Sequence, residues 1–187
     1  MAATLTFSQE VSNLLYASHG NPIETCIQCG TCAGTCPVAN SMDHTPRRLI
    51  GMIRADLKDE VLASNTFWFC ASCYHCTVRC PKGIDIAGLM YALKRYSMWK
   101  NRYQEGLIGP VFSETFVKMI LRSGRSYEPV LAPSYMLSFS LREFLQEAQT
   151  ATSLMLKGRL PLLPPRIRHL DEFKRMVERV IPLGRAA

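Results

Sequence analysis

The sequence contains the run Cys26-Ile-Gln-Cys29-Gly-Thr-Cys32-Ala-Gly-Thr-Cys36-Pro37 and, 44 residues later, Cys70-Ala-Ser-Cys73-Tyr-His-Cys76-Thr-Val-Arg-Cys80-Pro81. In both runs the cysteines are separated by two, two and three residues, and a proline follows the fourth cysteine. All eight cysteines of the 187-residue chain lie in these runs. The two runs therefore form an internal repeat.

Four kinds of arrangement compete for eight cysteines. A disulfide framework is arithmetically possible but does not persist in a reducing compartment. Structural zinc commonly uses two separated C-x-x-C pairs, whereas each run here packs three cysteines at successive two-residue gaps. Unrelated buried thiols would not repeat one spacing twice. The C-x-x-C-x-x-C-x-x-x-C-P run is typical of [4Fe–4S] ligation, so the sequence predicts two [4Fe–4S] clusters.

The runs resemble those of two-cluster ferredoxins, in which the fourth cysteine of each run binds the other run's cluster. This resemblance implies two crossed ligand sets. The first set is Cys26, Cys29, Cys32 and Cys80, and the second is Cys70, Cys73, Cys76 and Cys36. The crossing would tie the two halves of the repeat together, so we expect loss of a ligand to damage the fold as well as the redox chemistry.

The residues beside the cysteines differ between the runs. Gly30 and Gly34 permit tight turns or a close approach of backbone amides to sulfur. In the second run Tyr74, His75 and Arg79 replace small residues, which predicts more positive charge or more bulk around that cluster. We therefore expect the two clusters to differ in reduction potential, with the histidine a neighbour rather than a ligand.

Helical patterns surround the first run. Thr6-x-x-Gln9 resembles a capping box and predicts a helix with Val11, Leu14 and Leu15 on one face, ended at Gly20-Asn21-Pro22. Between the runs, Thr45 is predicted to cap a helix with Pro46 at its first position. The apolar residues that follow this cap recur every four positions, at Leu49, Ile53 and Leu57.

Further helices are predicted later in the chain. One is expected over residues 59–69, where Phe67–Phe69 would form a water-excluding wall. Another is expected over residues 86–103, with Leu89, Leu93 and Tyr96 at helical spacing and a stop at Gly106 and Gly109-Pro110. Few alternating strand patterns occur, so the predicted fold class is all-α.

The chain divides by composition into two parts. We expect residues 1–103 to be an α-helical ferredoxin-like domain that binds both clusters. Residues 104–187 contain no cysteine and have three apolar patches, 111–121, 135–156 and 173–181, separated by segments 129–133 and 160–165 that are rich in proline or glycine. This part is predicted to be a helical C-terminal extension, an extended arm that docks a partner, although its helices could instead pack back on the first domain.

Charge, hydropathy and motif content argue against several classes of function. The formal net charge is +7, but residues 1–44 contain no lysine or arginine and no basic block follows. Two clusters would leave about +3, which argues against nucleic-acid binding. No apolar window is long enough for a membrane span, and the first residues lack a signal-peptide pattern, so a cytoplasmic location is expected. The sequence has no recognisable pair of nucleophile and base, no phosphate-binding glycine loop and no dinucleotide-binding motif. No catalytic residue is therefore predicted.

The two cysteine runs, the length and the helical pattern resemble the C subunit of heterodisulfide reductase. The resemblance implies an electron-transfer protein within a hetero-oligomer. It would relay electrons between the A subunit, which contains flavin and iron–sulfur clusters, and the catalytic, cysteine-rich B subunit. The paired adjacent cysteines of the B subunit do not occur here. Two alternatives stay open: an iron–sulfur subunit that feeds a membrane quinone or dehydrogenase complex, and a zinc-stabilised interaction module.

Overall fold

The computed structural model describes residues 5–15, 22–127, 129–131, 133, 141–159 and 166–186. Helices and short turns make up the described part, and it contains no β-strand, which confirms the all-α prediction. The chain divides into two compact units, Met1–Glu105 and Gly106–Ala186.

The described part of the first unit contains six α-helices and the 3-10 turns Pro22–Thr25 and Ala39–Ser41. The helices are α1 (Phe7–Leu15), α2 (Thr31–Gly34), α3 (Pro46–Arg54), α4 (Lys58–Ala63), α5 (His75–Val78) and α6 (Ile86–Lys100). Helix α1 contacts α3 and α6, and α2 contacts both α3 and α5. The two shortest helices, which follow the cysteine loops, therefore lie against each other inside the unit.

The capping box predicted at the start of α1 is confirmed. The backbone N–H of Thr6 donates to Gln9 Oε1 at 3.0 Å, and the N–H of Gln9 donates back to Thr6 Oγ1 at 3.3 Å. A carboxylate from the loop after α3 adds to this cap, because the N–H of Phe7 donates to Asp56 Oδ1 at 2.6 Å. The predicted stop at residues 20–22 lies outside the described residues, except for Pro22.

Helix α3 begins as predicted but ends earlier than its apolar repeat suggests. Thr45 Oγ1 accepts the backbone N–H of the residue three positions later at 3.5 Å, and Leu49 and Ile53 are buried. Leu57 is wrong as a core position: it lies beyond the helix and is 41 % exposed. The reason is Asp56, whose left-handed backbone (φ 59°) breaks the helix before the third repeat.

The next two helices are also shorter than expected. Helix α4 covers residues 58–63, not 59–69, because Ser64 has extended backbone. Helix α6 begins as predicted and buries Leu89, Leu93 and Tyr96, but it ends at Lys100, before a left-handed Asn101. Gly109-Pro110 is wrong as a helix stop, because it lies in the first turn of the following helix, where a missing N–H costs nothing.

A charged cluster joins three helices at the edge of the core. Lys58 Nζ lies 2.7 Å from Glu10 Oε2, and the hydroxyl of Tyr96 donates to the same oxygen at 2.6 Å. Burial raises the pKa of Glu10, but the hydrogen bonds from Lys58 and Tyr96 outweigh it and leave that pKa below its ordinary value of 4.5. The stabilisation is therefore complete above pH 4.5 and is lost as the pH falls below it.

A double-mutant cycle of Glu10→Gln and Lys58→Met is expected to give a coupling free energy of about 1 kcal/mol near pH 7. Because the pKa of Lys58 is raised by these contacts against the effect of burial, the coupling should persist from about pH 6 to about pH 9. Anaerobic urea denaturation followed by circular dichroism measures it. The exposed pair Glu114 and Lys118 is the control, with an expected coupling of about 0.5 kcal/mol or less. Equal couplings for both pairs would contradict the prediction.

The second unit contains α7 (Ile108–Ser123), α8 (Leu141–Leu156) and α9 (Leu170–Ala186). Helix α7 ends at Gly124 (φ 82°), where the side chain of Ile167 lies against the backbone, and the N–H of Ile167 donates to the carbonyl of Ser123 at 3.3 Å. These contacts join the end of α7 to the segment before α9 within the second compact unit. Of the two predicted separators, residues 129–131 have helical backbone and residues 160–165 lie outside the described residues.

Candidate cluster-binding site

The internal repeat extends from the cysteine spacing to the backbone. Gln28 and Gly30 flank the second cysteine of the first run in left-handed conformation, with φ of 57° and 82°. Ser72 and Tyr74, at the equivalent positions of the second run, have φ of 54° and 61°. Each loop then enters a four-residue helix, α2 or α5. The two loops therefore wind in the same way, and at the position of Gly30 the second run tolerates a strained tyrosine.

The structure gathers four cysteines around a first cavity. Its wall contains Cys26, Cys29, Cys32 and Cys80. Three of these come from the first run, and the fourth comes from the loop after α5. Apolar side chains close the inner side of the cavity, namely Ile50, Ile84 and Ile86, while Arg47 and Lys82 contribute positive charge to its wall.

The other four cysteines lie around a second cavity. Its wall contains Cys70, Cys73 and Cys76 from the second run and Cys36 from the loop after α2. The remaining wall is apolar apart from the Tyr74 hydroxyl and includes Val38, Met42, Pro46 and Met90. The two cavities enclose similar space, about 340 and 360 Å³ including their open mouths. The contact between α2 and α5 thus brings the fourth cysteine of each run to the cavity of the other.

The thiols differ in how readily they ionise. Burial raises the pKa of Cys32 to about 11, and the neighbouring Cys26 and Cys76 act in the same direction. Burial also raises the pKa of Cys76, partly offset by Thr77. The pKa of Cys29 is lowered by hydrogen bonds from the side chain and backbone of Thr31. A metal must therefore compete with protons at the inner sulfurs of each site, whereas the exposed Cys29 loses its proton more easily.

The expectation of extra positive charge around the second run is wrong for the cavity itself. Tyr74 lines the second cavity and adds bulk, but His75 and Arg79 are exposed and do not line it. The lining charges belong to the first cavity instead. Arg47 comes from α3, and sequence reasoning missed it because its place depends on how that helix packs.

The predicted aromatic wall at residues 67–69 forms only in part: the rings of Phe67 and Trp68 lie 5.5 Å apart, whereas Phe69 is at the surface. Phe67 is fully buried in the core, Trp68 is half-buried against Tyr103, and Phe69 is 46 % exposed.

The two glycines of the first run differ in their surroundings. Gly30 adopts a left-handed turn that favours glycine, whereas a side chain at Gly34 would meet open space. The first glycine is therefore explained by turn geometry.

The donor set fits iron–sulfur clusters. Each cavity offers four thiols, the soft ligands that iron–sulfur clusters use, with apolar side chains around them. Within the described residues, no group of three or more histidine, cysteine, aspartate or glutamate side chains is arranged to hold a single metal ion. Four thiols around each open volume match the four ligands that one [4Fe–4S] cluster takes.

Comparison with known proteins agrees with this geometry. A family model described as a 4Fe-4S dicluster domain matches residues 22–84. The C subunit of the H2:CoB-CoM heterodisulfide,ferredoxin reductase of Methanothermobacter marburgensis is 37 % identical over 82 residues, 44 % of each chain. The C subunit of the ferredoxin/F420H2-dependent CoB-CoM heterodisulfide reductase of Methanosarcina acetivorans is 34 % identical over 120 residues, 64 % of this chain and 69 % of that one. This chain belongs to the family of heterodisulfide reductase C subunits.

The dicluster domain and the eight cysteines identify the cofactors as two [4Fe–4S] clusters, so the chain is an iron–sulfur protein. The similarity spans less than half of some relatives, 44 % of the Methanothermobacter marburgensis chain and 41 % of the Methanopyrus kandleri chain. None of the described helices has the length and apolar character that a membrane span requires.

Proposed function

We propose that this chain relays electrons within a heterodisulfide reductase complex, from a flavin-containing iron–sulfur partner to a catalytic partner that reduces a disulfide. The observation that supports this most is the pair of four-thiol cavities, in a chain whose relatives are named as subunits of such reductases. Two sites in one small unit suit a carrier between two partners. No bond-making role is assigned to any residue of this chain.

We also propose that the eight cysteines bind the clusters in two crossed sets. Cys26, Cys29, Cys32 and Cys80 hold one cluster, and Cys36, Cys70, Cys73 and Cys76 hold the other. The lining of the two cavities supports this crossed division. A bound [4Fe–4S] cluster supplies one-electron redox chemistry. The protein provides the thiolates, fixes their directions through the paired left-handed loops, and limits water with apolar side chains on the inner wall of each cavity.

The second unit is proposed to dock one of these partners. Large apolar side chains are exposed on each of its three described helices, and they would mark an interface where they form a contiguous patch. They include Ile108, Val117, Leu145, Leu156, Met176 and Val180. We also place the chain in the cytoplasm, because eight free thiols that serve as cluster ligands require a reducing compartment.

Anaerobic purification of the full chain from its native host under mild conditions is expected to recover a flavoprotein and a second iron–sulfur protein that is rich in cysteine. The physical reason is that a carrier must be held close to both its donor and its acceptor. Mass spectrometry identifies the co-eluting proteins, and a flavin assay measures bound cofactor. Recovery with a membrane cytochrome or a hydroxyacid dehydrogenase would overturn the proposed circuit.

A pair of variants in α8 tests the docking part of the proposal. Leu156 is 89 % exposed, so Leu156→Glu should reduce recovery of a partner without changing the iron content. Gln149→Glu is the matched control, since it adds the same charge at another exposed position of the same helix. If both variants retain every partner, this helix is not a docking surface.

A further inference from the structure

The two cavities differ in the groups that surround their sulfurs. The first has two cationic side chains in its wall, Arg47 and Lys82, and no acidic one. The second has no charged side chain in its wall at all, and its non-cysteine lining is apolar apart from the Tyr74 hydroxyl. The electrostatic environment of the two sites is therefore unequal, although their backbones repeat each other.

Hydrogen bonds to sulfur add to this difference. Gln28 Nε2 donates to Cys26 Sγ at 3.6 Å, and Thr31 Oγ1 lies 3.4 Å from Cys29 Sγ. The residue equivalent to Gln28 in the second run is Ser72, whose Oγ instead accepts a hydrogen bond from the Tyr91 hydroxyl at 2.7 Å. In place of the amide donor of the first loop, the second loop thus has a shorter hydroxyl side chain, whose hydrogen bond in the described structure is to Tyr91 and not to a sulfur.

The second site also has one hydroxyl that contacts a sulfur. Thr77 lies next to Cys76, and its hydroxyl is shared between that sulfur and Asp85 Oδ1, which is 3.1 Å away. Solvent exposure does not separate the sites, because Cys29 and Cys73 are each the exposed cysteine of their own set. Cys32 is buried, and its burial disfavours an added negative charge at the first site. This effect concerns one of the four sulfurs, whereas two cationic side chains in the same wall favour the added charge.

Reduction adds one negative charge to a cluster that four thiolates already make negative. Donors to sulfur and nearby cations stabilise that extra charge and raise the reduction potential, whereas an apolar wall does not. We infer that the site of Cys26, Cys29, Cys32 and Cys80 has the higher potential, and that Gln28 positions a donor that contributes to the difference. In the proposed relay, one electron supplied by the flavin-containing partner therefore settles at this first site.

The direction of the relay rests on the proposed function, but the order of the potentials does not. An anaerobic redox titration of the full cluster-loaded chain, followed by electron paramagnetic resonance, is expected to resolve two one-electron steps. Gln28→Asn should lower the reduction potential of the more positive step by about 59 mV, which is a tenfold change in the equilibrium constant of a one-electron reduction. Asparagine tolerates the left-handed backbone of this position but is too short to reach the sulfur.

Two further variants make the test specific. Gln28→Glu keeps the side-chain length but replaces the donor with a negative charge, so it should shift the same step further in the same direction. Ser72→Gly, at the equivalent position, removes the hydroxyl, keeps the left-handed backbone and should move neither step. A shift of the more negative step by the Gln28 variants, no shift at all, or two steps that coincide in the unaltered chain would each overturn the inference. None of these results depends on which partners are recovered.

Discussion

Cys80→Ala is expected to remove a cluster from the site formed by the first cysteine run, although Cys80 belongs to the second run. The iron content should fall from about eight atoms per chain toward about four. The reason is geometric: Cys80 shares a cavity with Cys26, Cys29 and Cys32. Anaerobic iron and sulfide analysis measures the loss, and electron paramagnetic resonance of the reduced protein identifies the cluster that remains.

Spectra of matched variants distinguish crossed from uncrossed ligation. Cys29 and Cys73 are exposed cysteines in the first and second runs. Crossed ligation requires Cys80→Ala to give the same remaining signal as Cys29→Ala, and Cys36→Ala to give the same signal as Cys73→Ala. If Cys80→Ala instead matches Cys73→Ala, each run holds its own cluster and the ligand assignment is wrong. The comparison needs no assumption about which cluster gives which spectrum.

The sequence alone was sufficient to predict those structural features whose physical cause lies in neighbouring residues. The cap at Thr45 and the reciprocal pair Thr6 and Gln9 depend on residues three positions apart, and both were predictable. The cofactor type was predictable too, because the two equal runs offer the chemistry directly. The ends of α3 and α6 were not, since they depend on Asp56 and Asn101 in left-handed conformation, which a periodic apolar pattern does not reveal.

Properties of the site that depend on packing were harder to predict. Arg47 reaches the first cavity because of the way α3 lies against the first cysteine loop, and no spacing encodes that. Lys82 is different: it is two residues beyond Cys80, so the crossed ligand set could have placed it near the first site. The sequence instead drew attention to His75 and Arg79, which are neighbours of cysteines in the chain but do not line the second cavity.

Phe67→Ala is expected to destabilise the first unit by about 3–5 kcal/mol, the usual cost of removing a fully buried phenylalanine. Phe67 is 0 % exposed and belongs to the core that includes α3, α4 and α6. Because whole domains are stable by only about 5–15 kcal/mol, the loss is a large fraction of the total. Anaerobic thermal denaturation at one fixed scan rate should show a melting temperature lower by roughly 10 °C or more.

Phe69→Ala is the matched control, two residues away and with the same change of side chain. Phe69 is 46 % exposed, so the expected change is about 0.5 kcal/mol or less. Iron content should be measured in both variants, because a cavity in the core can loosen the loop that leads to Cys70 and release iron at lower temperature. Had residues 67–69 formed one wall, both substitutions would cost similar amounts. A large effect of Phe69→Ala on stability would therefore contradict the division between a core residue and a surface residue.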